Sequence, residues 1–247
     1  MPPTMENSTV LVTGANGGLG VQFVLQALEL GAAKVYATAR RPRDWPDARV
    51  VPLHLDVTDE ESVAAAARIA GDTTVVVNNA GISLIPDRLL TLPMADIRAT
   101  FETNFFGALR VARAFAPIVS ANGGGAFLHV HSALSWVVGD PQGPTGGHGA
   151  YAAAKAAFWS ATNSLRLDLA AHRIHVIGLH MGYTDTPMAE AIDDPKSDPA
   201  DIVRFAYEGL GAGEFEVTAD DLSRTLKQAL SAPVEVLYSQ LTLPSPS

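Results

Sequence analysis

Short runs of β-branched residues alternate along the chain with longer segments in which Ala and Leu recur at helical spacing, beginning with residues 9–12 and 19–30. This alternation is typical of repeated βαβ units. Most of the short runs lack a polar residue at every second position, as expected for strands buried on both faces of a parallel sheet. The pattern predicts an α/β fold, a single Rossmann-like doubly wound domain whose mainly parallel sheet has about seven strands.

The same pattern places the remaining elements and two loops. The further strand candidates are residues 34–38, 50–53, 74–78, 126–130, 175–179 and 215–217, and the helix candidates are residues 60–70, 95–120, 150–171, 199–210 and 219–230. Because no linker is evident, we predict one domain over 1–247. Loops that follow strand carboxyl ends border the ligand crevice of such a sheet, so substrate-loop regions are predicted near 133–149 and 183–200.

Charge and composition exclude several classes of function. With 17 Lys and Arg against 26 Asp and Glu, the net charge of −9 argues against a nucleic-acid partner, since phosphate backbones need a basic face. Without cysteine the chain has no disulfide framework and no thiolate metal site. No apolar run approaches the roughly 18 residues that a membrane span needs. The first residues lack a signal-peptide pattern, so we expect a cytoplasmic protein with no membrane partner.

A glycine-rich segment, TGANGGLG at residues 13–20, lies between the first predicted strand and the first predicted helix. Glycines at such a turn let backbone amides approach a pyrophosphate at the helix N-terminus. A tight connection between strand and helix would use the same residues, and that alternative stays open. The predicted cofactor-binding residues here are Gly14, Asn16, Gly17, Gly18, Leu19 and Gly20.

Two later strand ends supply further candidates for the cofactor site. Asp56, with Val57 beside it, follows the third strand and could accept a hydrogen bond from an adenine amino group, or it could cap the next helix. Asn79, Ala80 and Gly81 follow the fourth strand, where small and amide residues could support the first turn, border a ribose or simply form a turn.

The end of the second strand predicts which dinucleotide is preferred. An acidic residue there would hold a ribose 2′-hydroxyl, whereas an arginine favours a 2′-phosphate. The chain has Arg40 and Arg41 and no acidic residue before Asp44. Because the planar guanidinium suits phosphate, we predict NADP(H) in preference to NAD(H), against the alternative of a solvated arginine pair.

Tyr151 and Lys155 lie four residues apart in a predicted helix, so they share one helix face. A phenol has a pKa near 10, and a neighbouring cation favours phenolate and lowers that pKa. The spacing alone is common in proteins. Ser132, at the end of the strand before this helix, adds a hydroxyl that could polarise a carbonyl oxygen.

Together with the glycine-rich turn, NNAG at residues 78–81 and Asn104, these residues make the chain similar to the short-chain dehydrogenase/reductase family over nearly its whole length. The resemblance implies hydride transfer between a nicotinamide and a carbonyl or alcohol. It implies that Tyr151 is the acid/base, that Lys155 lowers its pKa and contacts ribose, and that Ser132 polarises the carbonyl. Asn104 would support a water connected to the lysine, or it would be a polar residue inside a buried helix.

The sequence departs from the family pattern at two places. The interval from Ser132 to Tyr151 is longer than the family's, which a loop insertion at 139–149 would absorb; Ser135 has the more usual spacing, but it lies beyond the strand end. Met181 stands where the family has Pro. By resemblance Gly182, Thr184 and Thr186 border the cofactor, although simple loop capping is the alternative for Thr186.

The apolar content of the predicted loops points to a largely apolar small-molecule ketone, aldehyde or secondary alcohol. The residues concerned are Trp136, Val137, Val138, Trp159, Tyr183, Met188 and Ile192, of which Trp159 is better explained by core packing.

His129 and His131 have no evident third ligand, so no metal is predicted. By resemblance, helices 95–120 and 150–171 would form a homodimer or homotetramer. Two alternatives to an oxidoreductase stay open: a protein that senses the cofactor without turnover, and an epimerase or dehydratase.

Overall fold

The computed structural model describes residues 3–238 and 241; positions 1–2, 239–240 and 242–247 of the predicted domain lie outside the described residues. The strands are β1 Thr9–Thr13, β2 Lys34–Ala39, β3 Val50–His54, β4 Val75–Asn78, β5 Gly125–Val130, β6 Ile174–His180 and β7 Glu216–Thr218. All paired strands are parallel, and they form one sheet in the order β3-β2-β1-β4-β5-β6-β7. The predicted α/β fold with its seven-stranded parallel sheet is confirmed.

Helices cover both faces of the sheet, which explains why its strands are apolar throughout. The helices are α1 Leu19–Glu29, α2 Glu60–Ile69, α3 Met94–Phe101, α4 Ala108–Ala121, α5 Gly149–Ala170, α6 Pro199–Ala212, α7 Asp221–Ala229 and α8 Val234–Leu237. On one face α1 packs against α6, where the Phe23 and Tyr207 rings meet edge to face. On the other face α2, α4 and α5 surround a second core that includes Phe115 and Phe127.

The long helix predicted over 95–120 is interrupted in the structure. A π turn, Glu102–Gly107, separates α3 from α4. The side chain of Asn104 bonds both backbone polar atoms of Ile82, and a Cβ on Gly107 would lie 2.7 Å from a methyl group of Val57. Both features place the π turn against loops that follow β4 and β3. Tertiary packing, rather than local helix preference, therefore determines where the π turn forms. Such π turns recur at functional sites.

Helix starts follow the capping chemistry expected from short acidic side chains. Asp59 accepts a bond from the amide of Glu61 at the start of α2, and Asp220 forms a capping box with Ser223 at the start of α7. Asp198 caps α6 in the same way. Among the described residues, no helix is long and apolar enough to cross a membrane.

Candidate active site

Two neighbouring cavities open at the carboxyl edge of the sheet. The first, about 570 Å³, is lined by the glycine-rich turn, by Ser132, Tyr151 and Lys155, and by residues that follow β6. The second, about 770 Å³, lies beyond the ends of β2 and β3. They meet between β1 and β4, where the strand order reverses, and this switch point is where ligands bind in open α/β sheets.

Three of the four glycines of the first turn are required by its backbone geometry. Gly14 and Gly18 have φ values of 68° and 53°, in the left-handed region that favours glycine. A Cβ on Gly20 would lie 2.2 Å from the carbonyl oxygen of Gly14, whereas Gly17 faces open space. Gly14, Gly17, Gly18 and Leu19 line the first cavity, so the turn presents bare backbone to it.

Asn79 holds this turn in place. Its side-chain amide donates to the carbonyl oxygens of Thr13 (2.8 Å) and Gly14 (3.2 Å). In return the Thr13 hydroxyl accepts from the backbone amides of Asn79 and Ala80, both at 3.0 Å. The structure thus assigns Asn79 a supporting role for the first turn, and Ala80 and Gly81 line both cavities.

The second cavity gathers the residues predicted to recognise the adenosine end of a cofactor. Asn16, Arg40, Asp56 and Val57 line it. The Asn16 side chain donates to the carbonyl oxygen of Arg41 at 2.7 Å and so fixes the arginine pair beside the first turn. Arg40 and Arg41 are exposed, so their guanidinium groups are available to an anion.

Asp56 does not cap helix α2, because Asp59 does; the capping alternative for Asp56 is wrong. One oxygen of Asp56 instead accepts from the amide and the hydroxyl of Thr58, at 2.9 and 2.7 Å. Burial alone would raise the pKa of Asp56, but these bonds and the nearby Arg40 outweigh it and lower that pKa. Asp56 is therefore an ionised acceptor in the second cavity, and its contact with adenine stays a prediction.

The residues that follow β6 fit a dinucleotide on the side of the first cavity. Thr184 is buried there, and its hydroxyl oxygen has no hydrogen-bond partner among the described residues. Thr186 contacts the position where a Cβ of Gly18 would lie, 3.2 Å away. The Gly182 amide donates to Asp220 at 2.6 Å. The glycine-rich turn and Thr186 thus lie side by side at this cavity, and the contacts of Gly182, Thr184 and Thr186 with a nicotinamide dinucleotide stay a prediction.

Ser132, Tyr151 and Lys155 come together in the first cavity. Ser132 lies two residues after the end of β5, and its hydroxyl accepts from the backbone amide of Leu134 at 3.1 Å. Ser135, the alternative serine, is buried behind it and its hydroxyl accepts from the amide of Ser132 at 3.3 Å. This placement favours Ser132 as the serine that meets a substrate.

Burial raises the pKa of Tyr151 to about 12, while the Ser132 hydroxyl lowers it in part. This direction is opposite to the lowering that the sequence predicted from Lys155. The Lys155 ammonium donates to the carbonyl oxygen of Val130 at 2.7 Å and lies 5.7 Å from the centre of the Tyr151 ring. Tyr151 is therefore a protonated phenol at neutral pH, which is the form that donates a proton.

Burial also lowers the pKa of Lys155, from 10.5 to about 8. In the unfolded chain this lysine stays protonated up to about pH 10. Between these two values unfolding takes up a proton, so the folded state gains stability as the pH rises. The buried ammonium thus destabilises the fold at neutral pH, a feature that active-site lysines share.

We expect a Lys155→Met variant to lose this pH dependence. Relative to wild type, its free energy of unfolding should fall by up to about 3 kcal/mol between pH 7 and pH 10.5, because only wild type loses a buried charge over that range. Urea unfolding of both proteins at several pH values measures the difference. A difference that stays constant with pH would contradict the assigned pKa.

Asp87 is a site residue that the sequence did not reveal. It is buried in the loop after β4, and its two carboxylate oxygens accept from the amides of Ala150 and Tyr151, each at 2.9 Å. A carboxylate at this end of α5 also complements the helix dipole. Because 63 residues separate Asp87 from Ala150, no local pattern could have identified this cap.

The wall of the first cavity includes two features that sequence reasoning missed. His148, at φ 54°, starts α5 and its Nε2 lies 3.2 Å from the Tyr183 hydroxyl. The C-terminal helices α7 and α8 also contribute Leu222, Leu226 and Leu237. The segments 133–149 and 183–200 both reach this cavity, and their role as substrate loops stays a prediction.

Trp136 packs away from the cavity, contrary to its predicted place at the crevice. Its ring stacks on His180 with centres 4.1 Å apart, and it meets Trp159 edge to face. Trp159 donates to Glu216 at 2.6 Å, so it belongs to the packed interior as expected. His129 is buried, with its Nδ1 2.8 Å from the Thr162 hydroxyl.

Comparisons with known proteins agree with this fold. A family model described as short chain dehydrogenase matches residues 8–197. The 1-deoxy-11-beta-hydroxypentalenate dehydrogenase of Streptomyces exfoliatus is 30% identical, covering 98% of this chain and 93% of the relative. The cis-4-hydroxycyclohexanecarboxylate dehydrogenase of Sinomonas cyclohexanicum is 34% identical over 82% of this chain and 81% of its own.

A solved structure is similar over the whole fold. A short chain dehydrogenase from Burkholderia cenocepacia J2315, in complex with NADP, superposes with a TM-score of 0.87 at 35% identity, covering 97% of this chain and 100% of its own. A family model that spans most of the chain, together with these relatives, establishes the class. The protein belongs to the short-chain dehydrogenase family and is an oxidoreductase of that family.

Proposed function

We propose that the protein transfers hydride between NADP(H) and a largely apolar ketone, aldehyde or secondary alcohol, with Tyr151 as the acid/base. The observation that carries this proposal is the convergence of Ser132, Tyr151 and Lys155 on one cavity that also receives the glycine-rich turn. A protein that only sensed the cofactor would need the turn but not the three side chains.

The side chains suit the reductive direction at neutral pH. The glycine-rich turn would hold the pyrophosphate of a reduced nicotinamide dinucleotide, and that cofactor would supply the hydride for the carbonyl carbon. Ser132 and Tyr151 offer two hydroxyl donors to the oxygen that becomes negative. Tyr151, held protonated by its burial, then gives its proton to that oxygen. Lys155 supplies a positive charge behind the phenol, which stabilises the phenolate that remains.

The substrate class is inferred from the cavity wall. Apolar side chains from three separate segments, among them Val137, Ile192 and Leu237, line the part of the cavity beyond Tyr151. The two relatives compared above are named for hydroxylated carboxylates, one of them a cyclohexane ring alcohol. An alicyclic secondary alcohol, or the ketone derived from it, therefore heads the list of substrates to test.

The proposal is tested by following NADPH and NADH oxidation by the purified protein against aliphatic aldehydes, acyclic ketones and substituted cyclohexanones. We expect turnover with NADPH and the highest kcat/KM for cyclic ketones. Tight NADPH binding without turnover of any carbonyl or alcohol in either direction would overturn the proposal in favour of a sensor.

A homodimer or homotetramer is part of the same proposal. Large apolar side chains are exposed on α3 and α5 and in the segments beside α3, with Leu90 99% and Leu167 81% exposed. Met94, on α3, and Phe106, in the π turn that follows it, are exposed as well. Exposed apolar patches of this kind mark interfaces between subunits.

A cytoplasmic location is proposed as well, and cell fractionation tests it.

We expect sedimentation equilibrium to give a dimer or tetramer for wild type. A Leu167→Glu variant should dissociate at least about tenfold more readily, because a carboxylate would be buried in the interface. The matched surface change Leu25→Glu, on α1, should leave the association unchanged. A wild-type protein that sediments as a monomer at micromolar concentration would contradict the assignment of this face.

A further inference from the structure

A buried histidine lies directly behind the candidate catalytic serine. His180 ends β6, its side chain is fully buried, and its Nδ1 is 3.1 Å from the backbone carbonyl oxygen of Ser132. The imidazole is fixed between two other rings, with Trp136 stacked at 4.1 Å and His131 at 4.9 Å. Neither the glycine-rich turn nor the acid/base chemistry uses this side chain.

A carboxylate lies on the other side of the imidazole. Glu216, on β7, has its Oε1 3.7 Å from Nε2 of His180, which is longer than a hydrogen bond, so Nε2 has no hydrogen-bond partner among the described residues. Trp159 donates to Oε1 at 2.6 Å and Lys227 donates to Oε2 at 2.7 Å, so the carboxylate is held in place. These contacts connect α5, α7 and β7 to the back of Ser132.

The backbone carbonyl oxygen of Ser132 determines which ring nitrogen of His180 carries a proton. A backbone carbonyl oxygen can only accept, so Nδ1 must donate for the 3.1 Å contact to be a hydrogen bond. The same oxygen also accepts from the amide of Ser135 at 3.0 Å. The two donors fix the peptide that follows Ser132, and with it the turn whose amide at Leu134 holds the serine hydroxyl.

We infer that His180 is a positioning residue for Ser132: its Nδ1 proton holds the Ser132 carbonyl, with Glu216 fixed behind the ring, so that the serine hydroxyl faces the substrate oxygen. This inference rests on the proposed function of the cavity, since positioning matters only if Ser132 meets a reacting oxygen. A misplacement of about 1 Å can reduce the rate by roughly 100-fold.

Two substitutions separate the hydrogen bond from the packing. His180→Phe keeps an aromatic ring between Trp136 and His131 but removes the donor. His180→Asn loses the ring but can place an amide NH₂ near the position of Nδ1. If His180 acted only through packing, His180→Phe would lower both stability and activity less than His180→Asn does. If His180 positions Ser132 through its hydrogen bond, His180→Phe should lower activity more than His180→Asn does, even though it remains the more stable variant.

The measurements are kcat, the KM of the carbonyl substrate, the Kd of NADPH and the thermal midpoint of each variant. We expect His180→Phe to lower kcat about 10- to 100-fold with the Kd of NADPH within about threefold of wild type. His180→Asn should retain kcat within about fivefold even though it unfolds at a lower temperature. Equal kcat losses, or a larger loss for Asn, would overturn the inference.

A second measurement does not depend on turnover. In ¹⁵N-histidine spectra of wild type, assigned by the signal that His180→Asn removes, Nδ1 of His180 should carry a proton at pH 7. The neutral Nδ1–H form and the doubly protonated ring both satisfy this expectation. A neutral ring protonated only at Nε2 would overturn the inference. If wild type turns over no carbonyl, the proposed function fails, while the spectrum still decides whether His180 holds Ser132.

Discussion

A Tyr151→Phe variant should lose turnover by roughly 100- to 10,000-fold while it binds NADPH with a Kd within about threefold of wild type. The substitution removes one oxygen atom from a side chain that lines the cavity beside Ser132. Under the proposed mechanism, a carbonyl oxygen bound here would lose one of its two hydroxyl donors and the proposed source of its proton. The glycine-rich turn is untouched, so the cofactor should still bind. Steady-state kinetics and NADPH fluorescence titration measure both effects.

The matched control is Tyr183→Phe, which removes a second phenol from the same cavity. The Tyr183 hydroxyl bonds with His148, 3.2 Å away, and has no contact with Ser132 among the described residues. We expect its kcat to fall less than about tenfold. Comparable losses in the two variants, or full activity of Tyr151→Phe, would remove Tyr151 from the acid/base role.

Removing the arginine pair should reduce the preference of the protein for NADPH over NADH. Wild type should use NADPH with a kcat/KM at least about tenfold above that for NADH. An Arg40→Ser, Arg41→Ser variant should lose about 10- to 100-fold of its kcat/KM for NADPH, because a single charge-assisted hydrogen bond to the phosphate contributes about 1.5–3 kcal/mol and solvent exposure weakens the second. Its kcat/KM for NADH should stay within about threefold, since NADH has no 2′-phosphate.

Arg43→Ser provides the control from the same basic segment. The Arg43 guanidinium stacks on the Trp45 ring at 4.3 Å and lies outside the lining of the second cavity. Removing it changes the net charge in the same direction but should not change the ratio of the two cofactors. Equal kcat/KM of wild type for NADH and NADPH would contradict the assignment of Arg40 and Arg41.

The order of strands and helices could be predicted from the sequence because hydrophobic periodicity is a local property. Strand β2 was expected at 34–38 and is found at Lys34–Ala39, and β6 was expected at 175–179 and is found at Ile174–His180. The π turn Glu102–Gly107 could not be predicted in this way. Its Asn104 bonds to Ile82 and its Gly107 leaves room for Val57, and both partners lie in loops that are remote in sequence.

In the candidate site, too, residues with a local sequence pattern could be predicted and residues placed by long-range contacts could not. The turn at Gly14 and the pair of Tyr151 and Lys155 carry local signals, which the sequence shows directly. Asp87 and His148 carry none, because their contacts depend on loops that meet only after folding. For Asn104 the sequence left two alternatives. Both of its side-chain polar atoms bond to the backbone of Ile82, as expected for a buried polar residue, and its support of a water near Lys155 stays a prediction.

The pKa of Tyr151 shows why spacing alone cannot settle the chemistry of a site. Four residues of helix place Lys155 on the same face, which predicted a lowered phenol pKa. In the folded protein the ammonium turns to the Val130 carbonyl and burial dominates, so the pKa rises to about 12. Desolvation depends on everything that surrounds the group, and a single sequence does not contain that information in local form.

The central claim is that this cavity carries out hydride transfer to a carbonyl carbon. The most direct test incubates wild-type protein with a cyclohexanone and NADPH that carries deuterium at C4 of the nicotinamide, on either face, and analyses the alcohol by mass spectrometry. We predict one deuterium at the carbinol carbon, from one face only, with one NADPH consumed per alcohol formed. Alcohol without deuterium from either face, or product formed without NADPH consumption, would contradict the account.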